Sequence, residues 1–441
     1  MATQIGYSSI GTGVRYDLGE QDSIYVLRSS SVVSTDGFGI SGTGFLQSAV
    51  IAGDVFGETA GIRLGDNQDL DWGHVVHVQT GASVSGDLML GGYGVYLTGY
   101  DSQLLNDGSI SGGYGVMMRG DGSRIVNTGT IQAGSVGLAN IGGIAGDTMT
   151  IVNTGIIAGG ESSLSFMYSL TAETVINRGL LIGDVGTGGG DDVVDNRGGR
   201  IEGDVYLGAG ADLLDNRDGV INGTIRGEDG ADTIRPGAGI EVIDGGAQTD
   251  VIDFRGTPAV QVGLDGSVEG TGYAAGDSYS AVENVYGSFF DDLIVGNAAV
   301  NYLFGSGGAD VIDGRGGSDI LRGGNGRDTL TGGAGNDSFR FLTLAEIGDT
   351  ITDFSNVTGN NDRFQIGAAG FGGGLVPGPL NPAWFRSRAD NLAQDADDRF
   401  IFRTTDRSLW FDVDGTGAAA PVMVADLQAG AVVTAADLLI L

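Results

Sequence analysis

Short apolar runs alternate with glycine-marked corners along most of the chain, and one phrase keeps returning. From about Ser48 to Gly223 it reads Asn-x-Gly-x-Ile-x-x-Gly or a near variant, with clear copies beginning at Asn106, Asn127, Asn153, Asn177, Asn196 and Asn216. Successive copies lie 21, 26, 24, 19 and 20 residues apart, and weaker versions stand upstream at Gln79 and Ser48. Alternating apolar positions at this period, with glycine corners and only 6 prolines in the chain, predict the coils of an all-β, right-handed parallel β-helix. Each coil can bury its inward face only against its neighbours. The recurring Asn is expected to stack at a coil corner, its amides satisfying turn backbone, with a sugar-binding or catalytic use as the alternative. A second phrase, Gly-Tyr-Gly-Val at Gly92–Val95 and Gly113–Val116, predicts Tyr93 stacked on Tyr114.

Around Gly186 the pattern changes to acidic loops followed by paired apolar residues. Asp192, Asp212 and Asp232 recur at intervals of 20, then Glu241 and Asp250 at intervals of nine. After an interruption at Phe254–Tyr286, the segment Gly305–Arg340 is four contiguous nine-residue units: GSGGADVID, GRGGSDILR, GGNGRDTLT and GGAGNDSFR. Two looser units, GSFFDDLIV from Gly287 and GNAAVNYLF from Gly296, precede them. Glycines allow a tight six-residue turn with carbonyls facing inward, the Asp at position six supplies a carboxylate, and the apolar residue at position eight closes the core. Calcium, a hard cation wanting six to eight oxygens, suits that arrangement.

The candidate ligands are therefore Gly305, Gly307 and Asp310; Gly314, Gly316 and Asp319; Gly323, Asn325 and Asp328; and Gly332, Ala334 and Asp337, with Asp292 from a looser unit. Two nonapeptides make one coil, so one row holds Asp292, Asp310 and Asp328 and the other Asn301, Asp319 and Asp337. The best sites should pair Asp310 with Asp328 and Asp319 with Asp337, while Asn301 lacks the charge and weakens its site. The alternative is a glycine-rich solenoid without metal, but Asp rows about 5 Å apart would repel without a cation.

Composition sharpens this picture. The chain has 84 glycines in 441 residues, 56 acids against 22 arginines with no lysine, and a net charge of −34. Residues 186–340 alone carry 26 acids and 10 arginines, so a compact form calls for bound cations. Nucleic acid is excluded as a partner, because a polyanion needs basic stripes. There is no cysteine, hence no disulfide or thiolate metal site. No stretch reaches about 18 apolar residues, so no transmembrane helix is expected. Met1–Gly13 lacks a basic region followed by an apolar run and is not a signal peptide.

From Gly186 to Leu441 the sequence resembles the RTX family, calcium-binding proteins exported by type I secretion in Gram-negative bacteria. The likeness rests on the nonapeptides, on the run from Asp265 into them, and on DTITDFSNVTGNNDRFQI and DDRFIFRTTDRSLWFDVDGTGAAAPVMVADL, which look like the family's export domain. The end, Asp437 to Leu441, fits its acid-then-apolar terminus. The coil periodicity places a β-helix over 1–185; the resemblance implies an acidic solenoid and calcium β-roll over 186–340 and a small β-rich C-terminal secretion domain over 341–441. It also implies an uncleaved C-terminal signal, a secreted, extracellular or cell-surface location, the type I secretion machinery as a partner, and folding triggered by calcium outside the cell.

Enzymatic readings fare poorly. A zinc protease needs His-Glu-x-x-His, whereas the two histidines, His74 and His77, form HVVH on an expected strand and should face opposite sides. Gly-x-Ser-x-Gly is absent, as is the Asp-Pro-His-Glu of alginate epimerases. Asp69 and Asp71 beside Trp72, and Asp412 with Asp414, could be glycosidase carboxylates, but turn chemistry is the simpler use, and for the second pair a further calcium site is conceivable. The expectation is a non-enzymatic, S-layer-like or filament-forming surface protein that self-associates on calcium binding. The alternatives are an adhesin for glycans or lipopolysaccharide, or a polysaccharide-modifying enzyme carrying the repeats.

Overall fold

Stacked parallel strands build both compact units of the chain, Met1–Asp250 and Val251–Leu441. The computed structural model describes residues 2–65, 71–120, 122–140, 148–166 and 169–441. In the N-terminal unit each strand pairs in register with the strand one coil later, so a core column runs Val76, Leu104, Ile125, Ile151, Val175, Val194, Leu214, Ile234. Every member is buried. A second column on the facing sheet runs Val84, Ile110, Ile131, Ile157, Leu181, Ile201, Ile221. Period-two alternation puts these branched side chains inward and leaves their neighbours outside.

The asparagines form the expected ladder. Asn106 Nδ2 donates to Asn127 Oδ1 at 2.7 Å, Asn127 to Asn153 and Asn153 to Asn177 at 2.8 Å, and Asn177 to Asn196 and Asn196 to Asn216 at 2.7 Å. All six are fully buried. Several amides also donate to a nearby carbonyl, so the row satisfies turn backbone as well as itself. The last rung passes to an acid: Asn216 donates to Glu241 Oε1 at 3.1 Å. Tyr93 stacks on Tyr114 with ring centroids 5.4 Å apart, as their register requires.

The C-terminal unit keeps the same logic with a shorter coil. One column is Val285, Leu303, Leu321, Phe339, Phe364, Leu438 and the other Val262, Ile294, Ile312, Leu330, Ile351, Leu427. Both continue past Arg340, so strands of the last hundred residues extend the sheets of the repeats. One sheet runs Gln261–Gly263, Leu293–Val295, Val311–Asp313, Thr329–Thr331, Asp349–Ile351 and Val422–Leu427, and then meanders through Ser408–Phe411, Phe400–Arg403 and Phe385–Arg388. The terminal strand Leu438–Ile440 lies parallel to Arg363–Gly367, with Leu438 and Ile440 buried.

Because each interior asparagine both accepts from one coil and donates to the next, Asn153→Ala should remove two buried amide–amide hydrogen bonds, at about 0.5–1.5 kcal/mol each, and leave Asn127 Nδ2 on Ile156 O and Asn177 Oδ1 on Gly179 N–H. Thermal unfolding of the full chain should show the loss. An unchanged midpoint would mean that the ladder does not stabilise the coils.

Candidate functional site

The nine-residue units close their loops as the sequence requires. At position four, Gly308, Gly317, Gly326 and Gly335 have φ from +121° to +148°, and a Cβ there would strike the backbone of the coil before. Only glycine fits. Position two is milder: Ser306 and Arg315 occupy φ of +79° and +70°, in the left-handed region that other residues can reach.

Within the C-terminal unit the loops stack into two rows. Asp292 N–H donates to Asp310 Oδ1 at 2.8 Å, Asp310 to Asp328 at 2.9 Å, and Asp328 to Asp349 at 3.0 Å. In the second row Asn301 donates to Asp319 and Asp319 to Asp337 at 2.8 Å, and Asp337 to Asp362 at 3.0 Å. The expected pairs, 310 with 328 and 319 with 337, are thus direct neighbours. Each Oδ1 is spent on the preceding coil's backbone. The Oδ2 atoms of Asp310, Asp319, Asp328, Asp337 and Asp349 are buried without any hydrogen-bond partner.

Beside the first four of those oxygens stands a glycine. A Cβ on Gly305, Gly314, Gly323 or Gly332 would collide with Oδ2 of Asp310, Asp319, Asp328 or Asp337 respectively. The carbonyls of Gly323 and Gly332 face the same space, 2.6 Å from where the Gly305 and Gly314 Cβ atoms would stand. Carbonyls at position three are engaged in the coil ladder: Asn325 O accepts from Gly308 N–H and Ala334 O from Gly317 N–H, both at 2.9 Å. Gly307 and Gly316 pair across to Asn325 and Ala334, so the four lie in stacked register. Among the described residues no three acidic or histidine side chains converge on one point. A cation here would therefore draw on two carboxylates and on backbone carbonyls, a hard oxygen set that fits calcium.

Two positions differ from this pattern. Asp292 already accepts from Ser288 N–H at 2.6 Å, Ser288 Oγ at 2.9 Å and Val260 N–H at 2.8 Å, so neither of its oxygens is orphaned. Asn301 accepts from Asn297 N–H at 2.9 Å and donates to Glu283 O at 2.7 Å, filling its own loop without charge. Asp349 and Asp362 were not among the sequence candidates, because they follow at 21 and 25 residues and break the nine-residue count. The signal they share with Asp310-Val311-Ile312 is the phrase Asp-x-apolar, as Asp349-Thr350-Ile351 and Asp362-Arg363-Phe364.

A single row of the same kind occupies the N-terminal unit. Glu173 N–H donates to Asp192 Oδ1 at 2.6 Å, Asp192 to Asp212 at 2.7 Å, and Asp212 to Asp232 and Asp232 to Asp250 at 2.9 Å. Oδ2 of Asp192, Asp212 and Asp232 is again buried without a hydrogen bond. Position one is Thr187 and Leu207 in the first two loops and glycine only from Gly227 onward, so the open glycine-walled loop begins with Asp232. Outside the coil, Asp195 is shielded differently: Arg178 and Arg197 bind it at 2.6 and 2.7 Å.

Burial, followed by the charges of neighbouring row members, raises the loop carboxyls. Asp310 and Asp349 are pushed up to about 8, Asp319 to about 7 and Asp362 to about 6. Asp192 and Asp212 of the other unit are pushed up to about 8. Burial also acts on Asp195, yet its guanidinium partners hold it well below the usual carboxylate range. Among the described residues no arginine is paired with Asp310, Asp319, Asp349 or Asp362 in this way.

The family model of the RTX calcium-binding nonapeptide repeat matches the chain in four copies, over residues 222–252, 286–321 and 313–341. The chain carries RTX calcium-binding repeats. Their matched span holds Asp232, Asp250 and the rows from Asp292 to Asp337, and stops short of Asp349 and Asp362. Among solved structures, the AlgE6R3 subunit of the Azotobacter vinelandii mannuronan C5-epimerase is similar at 28% identity over 34% of this chain and 78% of its own length, with a TM-score of 0.24. No curated protein matches.

The other sequence candidates fall outside the matched RTX residues. His74 is fully buried and held down to about 4 by burial, while His77 faces outward and meets Asp107 at 2.9 Å, so the two sit on opposite faces. Asp71 is buried, Trp72 stacks on Phe45 at 5.9 Å, and Asp69 lies outside the described residues. Asp412 accepts from Asp414 N–H and Asp414 from Ala419 N–H, which is local turn chemistry. No helix among the described residues is long and apolar enough to cross a membrane.

The raised carboxyls set a pH dependence for the metal-free chain. A group whose pKa rises on folding, from 3.8 to about 6–8 here, stabilises the fold fully below pH 3.8 and loses that contribution as pH climbs through 6–8. In chelator, circular dichroism should therefore show more β-structure at pH 5.5 than at pH 8. Saturating calcium, which binds the ionised form, should remove this advantage of acid. A metal-free fold that strengthens toward pH 8 would contradict the account.

Proposed function

We propose that the chain is a secreted calcium-binding structural protein of a Gram-negative cell surface or matrix, which folds and assembles when its RTX repeats bind calcium outside the cell. The observation that carries this reading is the set of buried, partnerless Oδ2 atoms at Asp310, Asp319, Asp328 and Asp337, each against a glycine that leaves room for an ion. The ligands proposed are those carboxylates together with the glycine carbonyls of position one; the carbonyls of Gly307, Gly316, Asn325 and Ala334 contribute through their second lone pairs. Asp292 stands at the edge of this set, since Ser288 already satisfies it.

The secretion half of the proposal rests on the resemblance of residues 341–441 to type I export domains. In the folded chain Leu438 and Ile440 are buried in a sheet, so a transporter would read the terminal strand before folding. Low cytoplasmic calcium would keep the repeats open for that step.

Assembly into a lattice or filament is supported by surface chemistry. A net charge of −34 makes copies repel until cations bind along the rows. The strands Thr3–Gly6, Ser9–Gly11 and Tyr16–Leu18 each pair on one side only among the described residues, and Ile5, Tyr7 and Ile10 are exposed there at 51%, 61% and 73%. An open edge with apolar side chains suits another copy.

Adding millimolar calcium to chain purified in chelator should raise β-structure first and light scattering next, and EGTA should reverse both. A chain that gains structure yet stays monomeric at high concentration would remove assembly from the proposal. A spectrum indifferent to calcium would remove calcium-driven folding as well.

A further inference from the structure

Beyond the matched RTX repeats, Asp349 continues the row that runs through Asp310 and Asp328. Asp349 is 0% exposed, its Oδ1 accepts from Asp328 N–H at 3.0 Å, and its Oδ2 is buried with no hydrogen-bond partner. Nearby acids offer no relief: Glu346 is buried too, and its oxygens are taken by Arg322 at 2.6 Å and Leu342 N–H at 2.9 Å. Asp362, which ends the other row, differs in one decisive respect. Its Oδ2 accepts from Ser355 N–H at 2.8 Å, so the second row closes on a backbone hydrogen bond. Asp353 is closed as well, accepting from Gly332 and Gly333 N–H at 2.9 and 2.7 Å.

We propose that Asp349 completes a calcium site with Asp328, so that the last ion of this row is shared between the final nonapeptides and the segment that follows them. The inference rests on the calcium reading of the rows. Its consequence is mechanical. Strand Asp349–Ile351 pairs on one side with Thr329–Thr331 and on the other with Val422–Leu427, the first strand of the C-terminal meander. An ion held between Asp328 and Asp349 pins that strand, and through it the meander carrying Trp410, to the repeats. Calcium then orders the C-terminal segment through a ligand of its own.

The test counts bound calcium by equilibrium dialysis on the full-length chain and follows Trp410 emission during calcium titration. Asp349→Asn, which keeps an acceptor for the Asp328 N–H, should bind one ion fewer than wild type and need several-fold more calcium for the Trp410 transition. Asp349→Glu should restore the count, while Asp353→Asn and Asp362→Asn should keep it even if they lower stability. If wild type binds calcium and Asp349→Asn binds the same number, the shared site is wrong while the calcium reading stands. Loss of several ions or of the fold in Asp349→Asn, unrepaired by Glu, also overturns it. A wild type that binds no calcium defeats the underlying reading instead.

Discussion

Stacking coils at about 4.8 Å forces like onto like, and the rest of this structure follows from how each residue type answers that constraint. For an apolar column the answer is burial. For asparagine it is a ladder, because an amide is both donor and acceptor: from Asn106 to Asn216 each side chain holds the next at 2.7–2.8 Å. A carboxylate has no donor. Stacked at the same spacing it repels its neighbour by about 3 kcal/mol at an effective dielectric of about 20, unless a cation or a proton intervenes.

Two kinds of cation answer this need. Where acids lie on the outside of the coils, arginines alternate with them, as Arg178, Asp195 and Arg197 do. Inside the glycine-lined loops of Asp310, Asp319, Asp328 and Asp337 no arginine is paired with the carboxylates among the described residues, and the oxygen set there fits calcium. Calcium bound there would act on the loops, the part of the coil that has no core of its own. The asparagine corner needs no metal. Two kinds of corner on one architecture thus give coils that differ in what they require of the medium.

Much of this was legible in the sequence because the constraint is periodic. The asparagine phrase, the pairing of Tyr93 with Tyr114 and the 18-residue rows all follow from counting, and the opposed faces of His74 and His77 follow from strand alternation. What escaped is what does not repeat. Asp349 and Asp362 occupy row positions after loops of other lengths, so their spacing hides them. Thr187 and Leu207 interrupt the glycine of position one in loops whose acids look regular. Asp292 looks like its neighbours until the hydroxyl of Ser288 is seen on its carboxylate. Local competition for a lone pair is a three-dimensional fact with a faint sequence trace.

In the proposed reading calcium holds the acid rows in place and leaves the asparagine coils to their own hydrogen bonds. Amide hydrogen exchange of the full chain, read segment by segment with calcium and with chelator, tests this most directly. Removing calcium should collapse protection across Leu293–Val295, Tyr302–Gly307, Val311–Asp313, Ile320–Asn325 and Thr329–Thr331, while Gln103–Asn106 and Arg124–Asn127 stay protected. Equal protection of the acid rows in both conditions, or loss throughout the asparagine coils as well, would contradict it.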